Sequence, residues 1–366
     1  MKFRLCLLLI GVTVSAMLGS CRSEPTPSPE DFETAIPSDE AINEEKQKLT
    51  VMTHDSFDIS DEVLASFEKQ ENIEIQFLKA GDTGTAVNKA VLSRDEPLAD
   101  VFYGVDNTFL SRALSEDIFE AYESPVLEEI PDVFKIDPQH RALPVDFGDV
   151  CLNYDIAYFE ENNIDPPQGL QDLLKLEYKD LLVVQNPATS SPGLAYLFAT
   201  IGHFGEEGYL EFWQGLMENN VRVVDDWETA YYSEFSRWGG RYPIVVSYGS
   251  SPPFEMIFAE ESMEKPPTGA IVSDGSCFRQ IEFVGILKGT KNQELAKKWV
   301  DFMLSKEFQE DIPLKMYVFP VNENAKLDET FLKYLAVPEQ PVYLDPELIA
   351  LNRENWIQAW TEIVLR

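Results

Sequence analysis

Several side chains suited to holding a small ligand follow the predicted strands of this chain. Asp55, Asp82 and Asp106 could each accept hydrogen bonds from an amino group or balance a cation. His54 and Ser56 flank the first of these aspartates. Each aspartate could equally cap the helix that follows it, because Asp is a preferred N-cap residue. Both roles, helix cap and ligand contact, stay open for each aspartate. Three carboxylates at strand ends nevertheless favour a shared polar rim around one ligand site.

A second polar segment, residues 186–193, joins a predicted strand to a predicted helix. It reads Asn-Pro-Ala-Thr-Ser-Ser-Pro-Gly and places the hydroxyls of Thr189, Ser190 and Ser191 at the helix N-terminus. Backbone N–H groups and the helix dipole favour a phosphate, a carboxylate or a ligand hydroxyl at such a position. Capping of the helix by Ser or Thr is the alternative interpretation.

Aromatic side chains follow a pair of aspartates at 225–226. They are Trp227, Tyr231, Tyr232, Tyr248 and Phe254. Rings beside carboxylates can sandwich a flat cation, and each face contributes about 0.5 to 2 kcal/mol when water is excluded. Packing of the same rings in the core is the alternative for any one of them.

The sequence lacks the common catalytic and metal-binding motifs. It has no Gly-x-Ser-x-Gly elbow, no Gly-x-x-x-x-Gly-Lys loop, and no His-x-x-x-His or Cys-x-x-Cys spacing. Its formal net charge of −35 provides no basic stripe for nucleic acid. Such acidity suits the solubility of an exported protein and only weakly favours cationic partners. We therefore expect a binding protein that is not an enzyme and needs no cofactor or metal.

The N-terminus has the pattern of an export signal. Lys2 and Arg4 accompany an apolar stretch at 3–18, which ends in Leu18-Gly19-Ser20-Cys21 and resembles a bacterial lipobox. The stretch is short for a transmembrane span. We expect residues 1–20 to be a signal peptide and Cys21 to carry a lipid that anchors the protein outside the cytoplasm, in the periplasm or at the cell surface. Prolines interleaved with polar residues predict a disordered tether over 21–48.

The first part of the chain alternates strand and helix patterns. Strands are predicted at 48–53, 73–77 and 100–105, and helices near 63–67, at 86–92 and at 108–114. This alternation predicts an α/β fold whose sheet is mainly parallel, with helices on both faces.

The second part of the chain repeats the alternation. Strands are predicted at 181–185 and 243–248, and helices at 193–201, 209–217, 295–303 and 346–366.

Two further strands, at 147–154 and 280–287, are placed to cross between two lobes. The predicted first lobe comprises 49–148 with 284–320, and the second comprises 149–283 with 321–366. Ligands of open α/β sheets sit beyond the carboxyl ends of the strands, so we expect a ligand cleft between the lobes.

Cys151 and Cys277 form an even pair in an exported protein. An oxidising compartment favours a disulfide between them. The alternative, that both cysteines are buried free thiols, fits the sequence equally well.

Several runs in one order resemble the thiamine-binding solute receptors of ABC importers, over most of 49–366. These runs are His54-Asp55-Ser56-Phe57, Gly104-Val105-Asp106-Asn107, Thr189-Ser190-Ser191-Pro192-Gly193-Leu194, Trp227-Glu228-Thr229-Ala230-Tyr231, Ser247-Tyr248 and Ser251-Pro252. The resemblance implies the two-lobe, type II periplasmic-binding-protein fold, with lobes that close over the ligand. It also implies an ABC permease as partner and thiamine or thiamine monophosphate as ligand, and we expect a monomer.

The resemblance also implies roles for single residues. Trp227 and Tyr248 match rings that flank the vitamin, and Phe254 stands where the family has a tyrosine. Ser190 matches a serine at the hydroxyl or phosphate end, and Asp82 aligns with a pocket aspartate. The chain departs from the family in two ways: His54 replaces a tyrosine, and a tryptophan soon after the first strand is missing.

Other functions remain open at this stage. A ferric-iron receptor needs paired phenolates as hard oxygen ligands, but Tyr248 is followed by Gly249, and Tyr231-Tyr232 lies in a different segment. A polyamine or another small cation would use the same aromatic rings and carboxylates. A lipid-anchored hydrolase would need a nucleophile and base that the sequence does not suggest. A purely structural surface lipoprotein would need no polar cleft.

Overall fold

The computed structural model describes residues 46–259 and 263–366, which form an α/β fold around a mixed sheet. Its strands are β1 Gln47–Thr53, β2 Ile73–Lys79, β3 Val101–Asp106, β4 Phe119–Glu120, β5 Leu143–Asp155, β6 Leu182–Gln185, β7 Arg222–Val224, β8 Ile244–Tyr248, β9 Thr268–Ile271, β10 Phe278–Leu287 and β11 Phe319–Pro320. Its α-helices are α1 Asp61–Glu71, α2 Thr83–Leu92, α3 Leu110–Ser115, α4 Ile156–Asn162, α5 Ser191–Glu218, α6 Ser251–Ile257, α7 Gln293–Leu304, α8 Lys306–Met316, α9 Glu329–Tyr334 and α10 Pro346–Val364.

The sheet has the order β2-β1-β3-β10-β5-β8-β6-β7. Pairing is parallel within β2-β1-β3 and within β8-β6-β7. Every pairing of β5 and β10 with another named strand is antiparallel. The predicted α/β class is confirmed, but the prediction of a mainly parallel sheet was wrong at its centre. The two central strands, β5 and β10, carry the chain back between the predicted lobes, so they run antiparallel to their neighbours.

Strands β5 and β10 are the two crossing strands that the sequence predicted. Val150 of β5 pairs with Phe278 of β10, and Leu143 pairs with Val284. The carboxyl half of β5 continues into pairing with β8 and β9, whereas its amino half pairs with β10 and β11. This division of pairing partners is compatible with the predicted passage of β5 from one lobe to the other. The exact lobe boundaries, which lie at or beside these strands, stay a prediction.

Aromatic side chains pack the helices against one another. Phe67 of α1 packs edge-on against Trp299 of α7, with ring centroids 5.1 Å apart. Trp213 of α5 and Trp360 of α10 meet edge-on at 5.4 Å, and both are fully buried. Burial of a large apolar side chain contributes about 1.5 to 3 kcal/mol. The helix α5 contains both predicted helices, 193–201 and 209–217, separated by a bend at Gly205.

The strand β1 begins at Gln47, inside the predicted tether of 21–48. The predicted signal peptide, Cys21 and the tether up to residue 45 lie outside the described residues. No helix of the described ranges has the length and apolar character to cross a bilayer.

Candidate ligand-binding site

A cleft of about 290 Å³ opens where the carboxyl ends of β1, β2 and β8 approach the crossing strand β10. Its volume is at the lower end of sites that enclose small molecules, about 300 Å³ and upward. Most of the predicted ligand-binding residues line it, namely His54, Asp55, Ser56, Asp82, Ser191, Trp227 and Tyr248. The structure thus brings together residues that lie far apart in the chain.

A buried ion pair forms the inner wall of the cleft. Nε2 of His54 lies 3.5 Å from Oε1 of Glu282 on β10, and both side chains are almost fully buried. Burial opposes a charge on the imidazole, but the carboxylates of Glu282, Asp82 and Asp106 together outweigh burial and raise the pKa of His54. Burial likewise opposes ionisation of Glu282, and the charge of His54 helps to lower the pKa of Glu282 below its usual range. The pair therefore favours a charged imidazole beside a charged carboxylate.

Gly104 of β3 sets the position of this imidazole. A Cβ atom at Gly104 would lie 2.3 Å from Cδ2 of His54, and its φ is +100°. Only glycine combines that backbone angle with so close an approach of the ring. The histidine ring can therefore lie close against β3, at the inner end of the cleft.

A second carboxyl group lies behind Glu282. The Tyr103 hydroxyl is 2.6 Å from Oδ2 of Asp146 and 3.1 Å from Oε2 of Glu282. Burial, together with the charge of Glu282, raises the pKa of Asp146 well above its usual range. Asp146 and Glu282 therefore share one negative charge, and it is carried by Glu282, the carboxylate that lines the cleft.

Asp82 stands at the N-terminus of α2 and touches both sides of the cleft. Its Oδ1 caps the helix by accepting from the Thr83 N–H at 2.7 Å, and its Oδ2 accepts from the Trp227 N–H at 3.1 Å. Burial raises the pKa of Asp82, and the hydrogen bonds that it accepts oppose that shift. The capping role and the ligand-rim role predicted for Asp82 are therefore compatible.

Trp227, Tyr232 and Tyr248 form an aromatic corner of the cleft. The Trp227 and Tyr248 ring centroids lie 6.4 Å apart at 61°, and those of Trp227 and Tyr232 lie 5.5 Å apart at 82°. Trp227 Nε1 donates to Ser247 Oγ at 3.1 Å, while Tyr231 stacks against the indole at 5.0 Å. The indole is thus fixed from behind, and the three rings meet at an angle.

Gln280 of β10 connects the crossing strand to the start of α5. Its Nε2 donates to Ser191 Oγ at 2.7 Å and also contacts Asp106, and its Oε1 accepts from the Tyr248 hydroxyl at 3.1 Å. Gly193 allows α5 to approach β6, because a Cβ there would lie 2.6 Å from the Gln185 carbonyl oxygen. Through these hydrogen bonds, Gln280 orients Tyr248 and the N-terminus of α5 toward the cleft.

Two lysines lie at the outer end of the cleft, beside the loop that follows β1. Lys79 Nζ donates to the Asp55 carbonyl oxygen at 2.8 Å, and Lys315 Nζ lies 3.1 Å from Oδ2 of Asp58. The cleft therefore offers negative charge at its inner end and both signs of charge at its rim.

The remaining predicted ligand contacts do not line the cleft in this structure. Asp106 accepts from the Thr108 N–H and hydroxyl, and Thr189 donates its hydroxyl to the Asp225 carbonyl oxygen. Ser190 is fully buried at the N-cap of α5. Tyr231 donates to Glu255 at 2.5 Å, and Phe254 packs against Tyr317 at 4.5 Å. Core packing and local hydrogen bonds engage these side chains, and their contact with a ligand remains a prediction.

The structure adds cleft residues that the sequence reasoning missed, among them Thr83, Glu282, Lys79 and Lys315. One signal for Glu282 was available, because Gln280 and Glu282 are polar residues two positions apart in a strand whose later residues, 283–287, are apolar. Side chains at such spacing share one face of a strand. Polar groups on a buried strand need partners, which marks that face as a polar site. The lysines carry no comparable signal.

Cys151 and Cys277 are joined by a disulfide, with Cα atoms 4.5 Å apart. Both residues are fully buried. Cys151 belongs to β5, and Cys277 immediately precedes β10. The bridge therefore ties the two crossing strands together on the side of the second predicted lobe.

A two-lobe α/β fold with a polar, aromatic cleft beside its crossing strands defines an extracytoplasmic solute-binding protein. Residues 96–338 match the family model described as bacterial extracellular solute-binding protein, and the chain belongs to this family.

Similar proteins extend this match over most of the chain. The thiamine-binding periplasmic protein of Salmonella typhimurium is 30% identical over 328 residues, which cover 88% of this chain and 94% of the relative. The protein of that name from Brucella melitensis is 29% identical over 322 residues, which cover 86% of this chain and 91% of the relative. A solved periplasmic thiamin binding protein superposes with a TM-score of 0.76 at 27% identity, covering 88% of this chain and 97% of its own. These matches confirm the predicted family and the type II fold.

Proposed function

We propose that this chain captures thiamine or thiamine monophosphate outside the cytoplasm and delivers it to an ABC permease. It acts by binding and release, without transforming the ligand. Relatives that match nearly the whole chain are named for thiamine binding, which supports this assignment. The chemistry of the cleft supports it independently.

The observation that carries the proposal is the joint placement of Glu282, Asp82 and the corner of Trp227, Tyr248 and Tyr232 in one cleft. Thiamine combines a cationic thiazolium ring, an aminopyrimidine and a hydroxyl that can carry phosphate. Aromatic faces attract a cation by about 0.5 to 2 kcal/mol. A carboxylate accepts hydrogen bonds from an amino group, and these charge-assisted bonds are the stronger kind. Each part of the vitamin thus finds a complementary group.

In the proposed complex, Trp227 and Tyr248 flank the thiazolium, and Asp82 or Glu282 accepts from the aminopyrimidine. The N-terminus of α5, with Ser190 and Ser191, serves the hydroxyl or phosphate end. A helix N-terminus suits an anion because its N–H groups and dipole point toward the ligand.

Closure of the lobes about β5 and β10 traps the ligand. The ligand first engages one lobe, and rotation then removes water from the rings and carboxylates. Electrostatic attraction strengthens as the effective dielectric falls. Hinge closure of this kind is a standard response of two-lobe receptors. The permease then recognises the closed form of the monomeric receptor.

A lipid on Cys21 would hold the receptor beside its permease. The run Leu18-Gly19-Ser20-Cys21 supports this part of the proposal. Intact-mass analysis of the mature protein tests it: an N-terminal Cys21 carrying acyl chains is expected, and an unmodified or uncleaved N-terminus would contradict it. Cys21→Ser provides the unlipidated control.

Isothermal titration of the full chain, stripped of ligand by unfolding and refolding, tests the binding function. Thiamine, thiamine monophosphate, spermidine and ferric citrate are compared at equal concentrations. We expect submicromolar binding of thiamine or its monophosphate, and much weaker binding of the other two. Tight binding of spermidine or ferric iron alone would replace thiamine as the ligand. No heat with any of them would refute the proposal.

A further inference from the structure

We infer that His54 makes capture of the cationic ligand pH-dependent: its charged imidazole neutralises Glu282 in the empty cleft, and binding of the cation expels its proton. This inference rests on the proposed function. It concerns a position where the resemblance expects a tyrosine, which would carry no positive charge.

The geometry places the imidazole where a bound cation would compete with it. His54 lines the cleft and contacts the Glu282 carboxylate, with Nε2 and Oε1 3.5 Å apart. The ring cannot swing outward freely, because it lies against Gly104 and 5.7 Å from the Tyr103 ring. A cation that enters this space therefore shares Glu282 with a second positive charge held in a fixed place.

The other ionisable groups around His54 are mostly acidic. Asp82 precedes α2, Tyr103 and Asp106 belong to β3, Asp146 to β5 and Tyr248 to β8. Asp55, Asp58, Glu228, Lys79 and Lys315 line the same cleft nearer its rim, where Lys315 is paired with Asp58. Because Glu282, Asp82 and Asp106 all favour the imidazolium, they raise the pKa of His54 despite its burial.

The sign of the effect follows from linkage. A bound cation disfavours the imidazolium, so it lowers the pKa of His54 and releases a proton. Affinity for the cation then rises with pH until His54 is neutral in the free protein. Below that point, one linked proton weakens binding by up to about tenfold per pH unit.

Titration calorimetry in buffers of different ionisation enthalpy counts the released protons. At about pH 6.5, the ordinary pKa of histidine, thiamine binding to the full chain should release a substantial fraction of one proton. His54→Tyr should release much less, and His54→Gln serves as a second variant because the fit against Gly104 is tight. The titration of thiamine itself contributes equally to all proteins compared and cancels in the difference.

The chain provides a matched control, because it has only three histidines. His140 lies away from the cleft and has a φ of +53°. Asparagine tolerates such a backbone angle, so His140→Asn should fold and keep the wild-type proton count. NMR titration of the imidazole signals, with and without thiamine, reads the pKa of His54 directly and should show it falling on binding.

The possible results separate the two claims. Thiamine binding to the wild-type protein with an unshifted His54 signal would overturn this inference and leave the proposed function intact. Absence of thiamine binding at every pH would overturn the proposed function and this inference with it.

Discussion

The backbone N–H of Trp227 donates a hydrogen bond of 3.1 Å to Oδ2 of Asp82. The two residues belong to different predicted lobes and both line the cleft. Asp82 therefore connects the start of α2 to the aromatic corner, and the same carboxylate would face a bound cation.

Replacement of Asp82 by alanine should weaken thiamine binding by about tenfold or more, with faster dissociation, since loss of about 1.4 kcal/mol gives that factor. Stopped-flow and calorimetric titration measure the two effects. Asp345→Ala is a matched control, because Asp345 caps α10 by accepting from Glu347 at 2.8 Å and does not line the cleft. Both variants lose a cap worth about 1 kcal/mol, but only the first should lose affinity. Equal affinities in the two variants would remove Asp82 from the site.

Trp227→Ala should also weaken binding of thiamine by about tenfold, because the indole face contributes roughly 1 to 2 kcal/mol to a desolvated cation. Trp227→Phe should lose less, since it retains an aromatic face. Tyr343, which is 78% exposed and outside the cleft, provides the control substitution Tyr343→Ala. Unchanged affinity in Trp227→Ala would exclude stacking on this ring.

With the phosphate at the N-terminus of α5, Lys79 and Lys315 at the rim of the same cleft should still favour thiamine monophosphate over thiamine, because they attract its added negative charge. In the double variant Lys79→Ala/Lys315→Ala, we expect the preference for the monophosphate to fall by about tenfold, while thiamine binding changes little or improves. Competition titrations in low and high salt measure the ratio, which should also lose its salt dependence. Lys297→Ala removes a surface lysine paired with Glu294 and serves as control. An unchanged ratio would show that these two lysines do not contribute to the preference for the phosphate.

Removal of the disulfide should lower the free energy of unfolding by about 2 to 4 kcal/mol, because the bridge closes a long loop in the unfolded chain. The two cysteines are separated by 126 residues. Urea unfolding of Cys151→Ser/Cys277→Ser, compared with oxidised and reduced wild type, measures the loss. Identical midpoints for the oxidised and reduced wild-type protein would show that the bridge contributes nothing.

Asp106 should make stability fall as pH rises through the acidic range. Burial raises its pKa from 3.8 to about 6 despite the hydrogen bonds from Thr108. An acid with a raised pKa binds its proton more tightly in the folded state. Its contribution is therefore fully present below about pH 4 and is lost as pH approaches 6 and above. Relative to wild type, Asp106→Asn should gain up to about 3 kcal/mol between these limits. A pH-independent difference between the two proteins in urea titrations would contradict this.

Much of the secondary structure followed from local pattern. The alternation in 48–53 and 73–77 predicted β1 and β2, and the spacing of apolar residues predicted α1 and the final helix α10. These patterns reflect burial of one face of each element, which nearby residues specify. The antiparallel pairing of β5 with β10 joins segments more than a hundred residues apart, and no local pattern specifies it.

The site divides in the same manner. Residue type and order were sufficient to place polar groups at strand ends and to indicate the family of receptors. They could not separate Trp227, which lines the cleft, from Tyr231 and Phe254, which pack elsewhere. An aromatic ring suits a core or a ligand equally well, and the side to which it turns depends on long-range packing. The contact between His54 and Glu282 likewise exists only because β1 and β10 lie on either side of β3 in one folded sheet, which brings two distant residues together as an ion pair.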